Sequence, residues 1–447
     1  MPTFRALARR AAEALRRALL APERHAWLLL VLFLVALVPR LQFAVEEHPP
    51  GLYLVSDMAI YRERAVRLLD GPRDVWDTFT PPGYPALIAL IFAALGRDDA
   101  LVGWAQAALG AATVTLAFLL AHRVSRSAVA ALGAFAVLAI YPPLVLYTGL
   151  FLTETTCAFL VTLFVVAFTA AVERERAPAA VLAGVAFAAG AAVRPNLLLA
   201  LPFLAVVVMT LRRDRRITRA AAITVLAALP ILACASAWSS RLANRPVALA
   251  TNGGVNFYLA HAHVRAVRFP EGDPIREIST YQSRTRAAPI EVVTLHAHED
   301  AAFYARGLAA LRRDPFELVR ALGAVLDGLG LGHLGGRENP PYWPGWMGHD
   351  AALGGWLRAM LALGTFPAMA HAAWLARGRA LLRPDQVPRL VVLALFASVV
   401  ATLYVFLGNP RVRVPFDPLL VTLAAAAYAD LGRGLAARRR RRPAPRG

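Results

Sequence analysis

The feature that most constrains this chain is a series of long apolar runs joined by short, arginine-bearing links. The first run is Trp27–Val38, extended by Leu41–Val45, and Arg5, Arg9, Arg10, Arg16, Arg17 and Arg24 precede it. Further runs follow at Ala100–Ala121, Ala128–Tyr147, Thr155–Ala171, Pro178–Ala192, Leu197–Leu211 and Ala220–Trp238, then at Ala351–Trp374, Arg389–Leu407 and Phe416–Tyr428. Backbone in lipid must satisfy its own polar groups, so each run is expected to be helical. A hydrocarbon core near 30 Å wants about 20 residues per span, so several runs must borrow flanking residues. The chain is 58% hydrophobic and only 17% charged, against roughly 45–50% and about 25% in soluble proteins. An ordinary soluble enzyme, a disordered chain and a disulfide scaffold are therefore excluded. Cys157 and Cys234 both sit in apolar runs, where cysteine acts as a small hydrophobe.

The net charge is +19. Such an excess can indicate nucleic acid, but its position argues for membrane topology. The arginines gather at the two ends and in the links, as cytoplasmic anchoring requires. A cleaved signal peptide is the rival reading of the first run. The region before its core is long for one, and no small-x-small site precedes the polar stretch, so an uncleaved span is expected.

Tyr84–Leu95 is apolar but short for a span. If it does not cross, the links His122–Ser127, Glu173–Arg176, Arg212–Arg219 and Arg377–Arg383 and the run Arg438–Arg442 all fall on one side. The expected fold is an all-α polytopic membrane protein of about ten transmembrane helices, with interfacial helices and a long outer segment. Both termini are expected in the cytoplasm. The organisation is a basic N-terminus at 1–24, a membrane domain at 25–238 with a first outer loop at 46–99, an outer segment at 239–350, C-terminal helices at 351–431 and a basic tail at 432–447. Within the outer segment, Thr251–Gly254 reads as a turn, and Glu299–Leu311 and Phe316–Leu329 as amphipathic helices. Gly335–Gly348, rich in Trp and Tyr, suits a headgroup-level loop. The tail from Arg438 is expected to be disordered near anionic lipid.

This topology puts several polar residues on the outer face. Asp57 opens a short helix, Asp57–Leu69, whose N-terminal field favours an ionised carboxylate, with Tyr61 one turn on. Asp57 is either a general base or metal ligand or a helix-capping acid. Glu154 starts a span, where a carboxylate is expensive unless paired, hydrated or facing a cavity. The arginines at Arg194, Arg411 and Arg413 run against the charge rule. Each either binds phosphate oxygens with its planar donor set, or snorkels to headgroups and pairs with Asp417 or Glu154. Pro82, in Thr80-Pro81-Pro82-Gly83-Tyr84-Pro85, restricts the backbone before a helix. The His261–His263 and His296–His298 pairs, with His333 and His349, suit solvent-exposed or locally bonded histidines better than a metal site. The chain contains no lysine, which removes Schiff-base chemistry. Neither a dinucleotide-binding glycine loop nor a Walker A motif occurs.

The order of these features resembles the polytopic GT-C glycosyltransferases, in particular the dolichyl-phosphate-mannose protein mannosyltransferase-like group (family 39-like) and its bacterial members. The resemblance is carried by Ser56-Asp57-Met58-Ala59-Ile60-Tyr61, Pro81-Pro82-Gly83-Tyr84-Pro85, Ala105-Gln106-Ala107-Ala108-Leu109-Gly110, Tyr141-Pro142-Pro143, Leu152-Thr153-Glu154 and Arg194-Pro195-Asn196. Asn252-Gly253-Gly254-Val255-Asn256-Phe257 and the turn Asn409–Phe416 complete it. Met58 and Gly83 stand where many members carry an acid and a Lys or His, and Glu154 where some use Asp. The resemblance implies transfer of a sugar from a polyprenyl-phosphate donor to a lipid, protein or glycan acceptor on the periplasmic or outer face of a bacterial inner membrane. It also implies Asp57 as base, Glu154 in acceptor or metal placement, and Arg194 on the donor phosphate, with Arg411 and Arg413 as further phosphate contacts. Tyr61, Pro82, Tyr84 and Asn256 would position substrate. A divalent cation is left open, with Asp57 and Glu154 as its candidate ligands. The partners are then the donor, the acceptor and the bilayer, with no nucleic acid. Two readings stand beside this one: a multi-span transporter or flippase, with Arg194 and Glu154 lining a path, and a structural partner in envelope assembly.

Overall fold

The computed structural model describes residues 4–52, 54, 57–262, 264–268, 279–280, 291–294, 298–329, 366–377, 383–406 and 410–440. Ser56, His263, His296, His333, His349, the 335–348 loop and residues 351–365 of the late apolar run lie outside the described residues.

The helices, in chain order, are α1 (Phe4–Leu20), α2 (Ala26–Gln42), α3 (Asp57–Asp70), α4 (Gly83–Leu95), α5 (Asp99–Ser125), α6 (Ala128–Ala139), α7 (Pro142–Leu146), α8 (Glu154–Arg174), α9 (Ala177–Val193), α10 (Ala200–Thr210), α11 (Arg215–Ala243) and α12 (Gly253–His261). A small sheet follows, of β1 (Val264–Arg268), β2 (Ser279–Thr280) and β3 (Glu291–Thr294). Then come α13 (Asp300–Arg313), α14 (Glu317–Gly328), α15 (Phe366–Arg377), α16 (Val387–Val405) and α17 (Asp417–Arg440). In the sheet β1 is central, antiparallel to β2 and parallel to β3. The other regular elements among the described residues are helical.

Among the described residues, six helical stretches are long and apolar enough to cross a membrane: Ala26–Leu52, Asp99–Ser125, Glu154–Arg174, Arg215–Ala243, Pro384–Val405 and Val414–Ala437. Ala128–Ala139 with Pro142–Gly149 makes a seventh if that pair, bent by 57°, is one span. The run expected to be continuous from Ala128 to Tyr147 is thus broken, because Pro142 and Pro143 cannot continue a helix from α6. The break exposes carbonyl groups inside the bundle, and Arg40 takes them. Its guanidinium donates to Leu138 O at 3.0 Å, Ala139 O at 2.9 Å and Ala36 O at 2.7 Å. Arg40 is fully buried, and the negative end of α6 offsets its charge.

Two ends of the bundle can be told apart by their ion pairs. At one end Glu23 meets Arg123 and Arg174. There too Asp430 holds Arg389 at 2.8 Å and His371 at 2.6 Å, and also Arg433. Arg389 and Arg433 donate onward to Val124 O and Ser125 O, satisfying the last carbonyls of α5. At the other end Arg62 bridges α3 to Asp99 at 2.8 Å, and Gly83 meets the last residues of α9. Gly83 and Asp99 therefore lie at the same end, so α4 does not connect the two ends.

Exposed apolar side chains form an outward belt. Val38 is 63% exposed, Val206 62% and Leu226 67%, the surface a bilayer would cover. Outside this bundle, Val255, Tyr258 and Phe303 form a second small core with Trp76 and Phe79. Thr251 N–H donates to Thr78 O at 2.9 Å and pins this layer to the loop before α4. Thr251–Gly254 is not simply a turn, since α12 already begins at Gly253. The helix α17 likewise continues through Arg440, past the point where disorder was expected.

Candidate active site

Four of the expected residues meet. Glu154 is the first residue of α8 and is wholly buried. The helix N-terminus favours its negative charge. Arg411 Nε donates to Glu154 Oε1 at 2.8 Å, and Arg411 Nη1 reaches Asp57 Oδ2 at 3.3 Å. Arg194, at the C-terminal end of α9, places Nη1 3.5 Å from Glu154 Oε1 and 3.4 Å from Arg411 O. Residues up to 354 positions apart thus share one cluster.

The cluster is graded from floor to mouth. Glu154 lies at the bottom with no exposed side-chain surface, Arg194 and Arg411 above it are 16% and 24% exposed, and Asp57 is 44% exposed. The buried acid is therefore the anchor of two guanidinium groups. The accessible acid is Asp57. Arg194 carries five N–H donors, and its Nε and Nη2 have no hydrogen-bond partner among the described residues.

Local sequence explains how these side chains arrive. Arg64 donates to the Thr80 hydroxyl, and Arg67 Nη2 to Asp77 Oδ1 at 2.8 Å, which clamp α3 to the loop before α4. Pro82 caps α4. A Cβ on Gly83 would fall 2.6 Å from Ala192 C and 2.7 Å from Ala192 O. Only glycine lets α4 start against the backbone that delivers Arg194. Gly83→Ala is expected to lower stability by about 1–3 kcal/mol, an overpacking cost. A fall in the thermal unfolding midpoint in detergent would show it, and an unchanged midpoint would refute the close-approach argument.

Tyr61 and Tyr84 stand edge to face, 5.2 Å apart at 90°. Burial first, and the Asp57 charge next, push the Tyr61 hydroxyl above the usual phenol range, so it stays protonated. Tyr84 Oη donates to Gln106 Oε1 at 3.0 Å. Gln106 Nε2 donates to Leu150 O at 2.8 Å and Thr148 O at 3.1 Å. These bonds hold the segment leading into Glu154. Gln106 and Arg40 were not selected as site residues from sequence. The signal for both was present, because polar side chains inside apolar runs are rarely idle.

Two expected residues make no bond to the cluster among the described residues. Arg413 is 1% exposed. Its Nε lies 2.8 Å from Asp417 Oδ1 as an ion pair without hydrogen-bond alignment, and its Nη1 donates to Leu329 O at 3.0 Å. Tyr141 donates to Asp417 Oδ2 at 2.9 Å and completes the group. Arg413→Met is expected to cost about 3–5 kcal/mol by leaving Asp417 buried without its cation. The donor KM of the folded fraction should hardly move. A raised KM at unchanged stability would instead put Arg413 on the phosphate. Asn256 sits on α12 and makes no hydrogen bond to the cluster. His261, on the same helix, bonds to Val405 O at 2.9 Å.

The described residues of the cluster do not make up a metal-ligand set. Among the described residues no group of three or more His, Cys, Asp or Glu side chains comes together. Asp57 and Glu154 already share the Arg411 guanidinium, which occupies the place a bridging cation would need.

Residues 80–240 match the family model described as dolichyl-phosphate-mannose-protein mannosyltransferase. The match takes in Gly83, Glu154 and Arg194, and covers somewhat more than a third of the chain; Asp57 and Arg411 lie outside it. No curated protein matches the chain in sequence. Among solved structures, one similar chain is the archaeal oligosaccharyltransferase from Archaeoglobus fulgidus in complex with an inhibitory peptide and a dolichol-phosphate. It is 15% identical at a TM-score of 0.49, over 93% of this chain and 51% of that one. A second structure of the Archaeoglobus fulgidus oligosaccharyltransferase, tethered to an acceptor peptide, is 14% identical at the same TM-score and the same coverage. The chain spans about half the length of these solved structures.

Proposed function

We propose that this protein is a membrane glycosyltransferase of the GT-C type that moves a sugar from a polyprenyl-phosphate-linked donor to an acceptor. The observation that carries the reading is the Glu154–Arg411–Asp57 cluster with Arg194 beside it, two cations over a buried acid and one accessible carboxylate. The partial match to the mannosyltransferase family supports the same reaction class.

In this reading the donor phosphate lies against Arg194 and Arg411. The bond between the anomeric carbon and the phosphate oxygen breaks, and the phosphate leaves with the electron pair. Guanidinium groups suit that step, since the charge develops on oxygens they can grip. An acceptor hydroxyl or amine attacks the anomeric carbon from the opposite side, and Asp57 takes its proton. One displacement inverts the anomeric centre. Glu154 works through the arginines, fixing both guanidinium groups before substrate arrives. Tyr61, one turn from Asp57 on α3, is backed edge to face by the wholly buried Tyr84.

The proposed topology has about ten spans. It includes the two shorter apolar helices other than Gly83–Leu95, namely the halves on either side of Arg194, together with the late run that ends in α15. The cluster end then faces outward and the arginine-rich end lies in the cytoplasm by the positive-inside rule, in keeping with a bacterial inner membrane. The test is purified protein in lipid with a radiolabelled polyprenyl-phosphate sugar and an envelope extract. Label is expected to pass to a new species. A folded protein that binds no donor from a broad panel of polyprenyl-phosphate sugars would remove the reading.

A further inference from the structure

At the end of the bundle away from the candidate active site, a cavity of about 600 Å³ opens between the end of α8 and the beginnings of α9 and α11. Arg176, Arg215, Arg216 and Arg219 line it, opposed by one carboxylate, Glu175. Arg216 is paired with Asp214 at 2.8 Å. Arg176, Arg215 and Arg219 have no carboxylate partner among the described residues. The inner wall is different, being built from Ala171, Ala180, Ala220 and Ile223.

The cavity is a product of tight helix packing. A Cβ on Gly184 would collide with Thr224 O, and Thr224 Oγ1 donates to Ala180 O at 3.2 Å. The two helices therefore touch one turn beyond the cavity and close its floor. Away from the cavity, α9 exposes Val181 and Leu182, and α11 exposes Val225 and Leu226. An apolar track thus leads from a cationic mouth along the outer face of the bundle.

We propose that this cavity binds the headgroup of an anionic phospholipid, with the phosphate against Arg176, Arg215 and Arg219 and the acyl chains along the α9–α11 track. The two-zone lining selects the ligand. A free phosphate compound would use the arginines but leave the apolar wall and track without a role. A zwitterionic lipid would bring its own cation toward a region already rich in arginine. Diffuse attraction between arginines and an anionic membrane surface needs no cavity at all, and that is the alternative to defeat.

The test uses the full chain and native mass spectrometry of detergent-solubilised protein titrated with phosphatidylglycerol, phosphatidylcholine or inorganic pyrophosphate. The wild type is expected to take up one phosphatidylglycerol in preference to phosphatidylcholine. Combined Arg176→Ala, Arg215→Ala and Arg219→Ala should weaken that first binding event about 10–100-fold. Ile223→Trp, which fills the cavity without touching its charge, should weaken it comparably. Combined Arg16→Ala, Arg17→Ala and Arg24→Ala removes equal charge from exposed positions at the same end, and should change binding less than about twofold if the cavity is the site. Equal losses in the two arginine triples would reduce the effect to surface charge and overturn the proposal. Wild-type binding by a folded Ile223→Trp protein would overturn it too. Pyrophosphate binding as tightly as phosphatidylglycerol would show a soluble-phosphate site and overturn the lipid assignment.

Discussion

Asp57→Asn is expected to lower the transfer rate by about 10²–10⁴-fold, the range of a lost general base, and to leave stability nearly unchanged. The reasons are on the surface of the cluster. Asp57 is 44% exposed, and its one ion pair among the described residues is the 3.3 Å approach of Arg411. An amide retains the shape and accepts a hydrogen bond from Arg411, but cannot take a proton from an acceptor. Exposed ion pairs contribute about 0–1 kcal/mol, so unfolding in detergent should shift little. The donor KM should also stay close to that of the wild type, because Asp57 contacts the acceptor in this scheme. A folded Asp57→Asn protein with full transfer rate would end the assignment of Asp57 as base. A large stability loss without a rate loss would make it a helix-capping acid after all.

The second large effect is expected at the floor of the cluster. Arg411→Ala should destabilise by about 3–5 kcal/mol, because it strips a wholly buried carboxylate of its nearest cation. Loss of a preorganised donor to the leaving group should also cost about 10²–10³-fold in rate. The two losses separate in a double variant. Adding Glu154→Gln to Arg411→Ala removes the stranded charge, so most of the stability should return while the rate stays low. Glu154→Gln alone should fall in rate too, with a raised donor KM, since Arg194 and Arg411 lose the group that aligns them. Thermal unfolding and transfer kinetics on the three proteins check this. If the double variant regains activity along with stability, the arginine has only a packing role. If Glu154→Gln keeps its donor KM and loses only acceptor turnover, Glu154 acts on the acceptor, as the family resemblance implied.

The burial of Glu154 changes how its chemistry is read. The family resemblance implied acceptor or metal placement, while the position of Glu154 at the start of a span required only that it be paired, hydrated or facing a cavity. In the folded protein Glu154 Oε1 takes both arginines, and Oε2 has no hydrogen-bond partner among the described residues. A carboxylate beneath two cations is a poor candidate to take a proton, and a positioning role is the one we propose for it. Arg413 makes the complementary point. It shares a short turn with Arg411, yet two residues along that 3-10 turn carry it to Asp417 and Tyr141 instead of the cluster.

Much of the architecture is local and so was legible. Apolar runs spell helices because lipid leaves the backbone no other partner. Prolines at 142 and 143 mark a place where a helix must stop, although the bend and the buried Arg40 that relieves it were not foreseen. The short length of Tyr84–Leu95 was enough to suggest that it does not cross, and the placement of Gly83 and Asp99 at one end agrees. The three-stranded sheet of the long segment was missed because β2 is only two residues long and β3 pairs parallel to β1 instead of as a hairpin.

By itself, then, the sequence determined a helical, multi-span chain, its arginine-rich links and the residue types able to handle a phosphate and a proton. These follow from local periodicity and charge, which each segment carries whatever its neighbours do. Only the tertiary structure decided that Asp57, Glu154, Arg194 and Arg411 belong together, that Arg413 pairs with Asp417 instead, and that Glu154 lies beneath its arginines. Those outcomes depend on close approaches such as Gly83 against Ala192 and on contacts spanning hundreds of residues. No local pattern encodes such contacts, because their energy exists only once the packed helices exclude solvent from the charges between them.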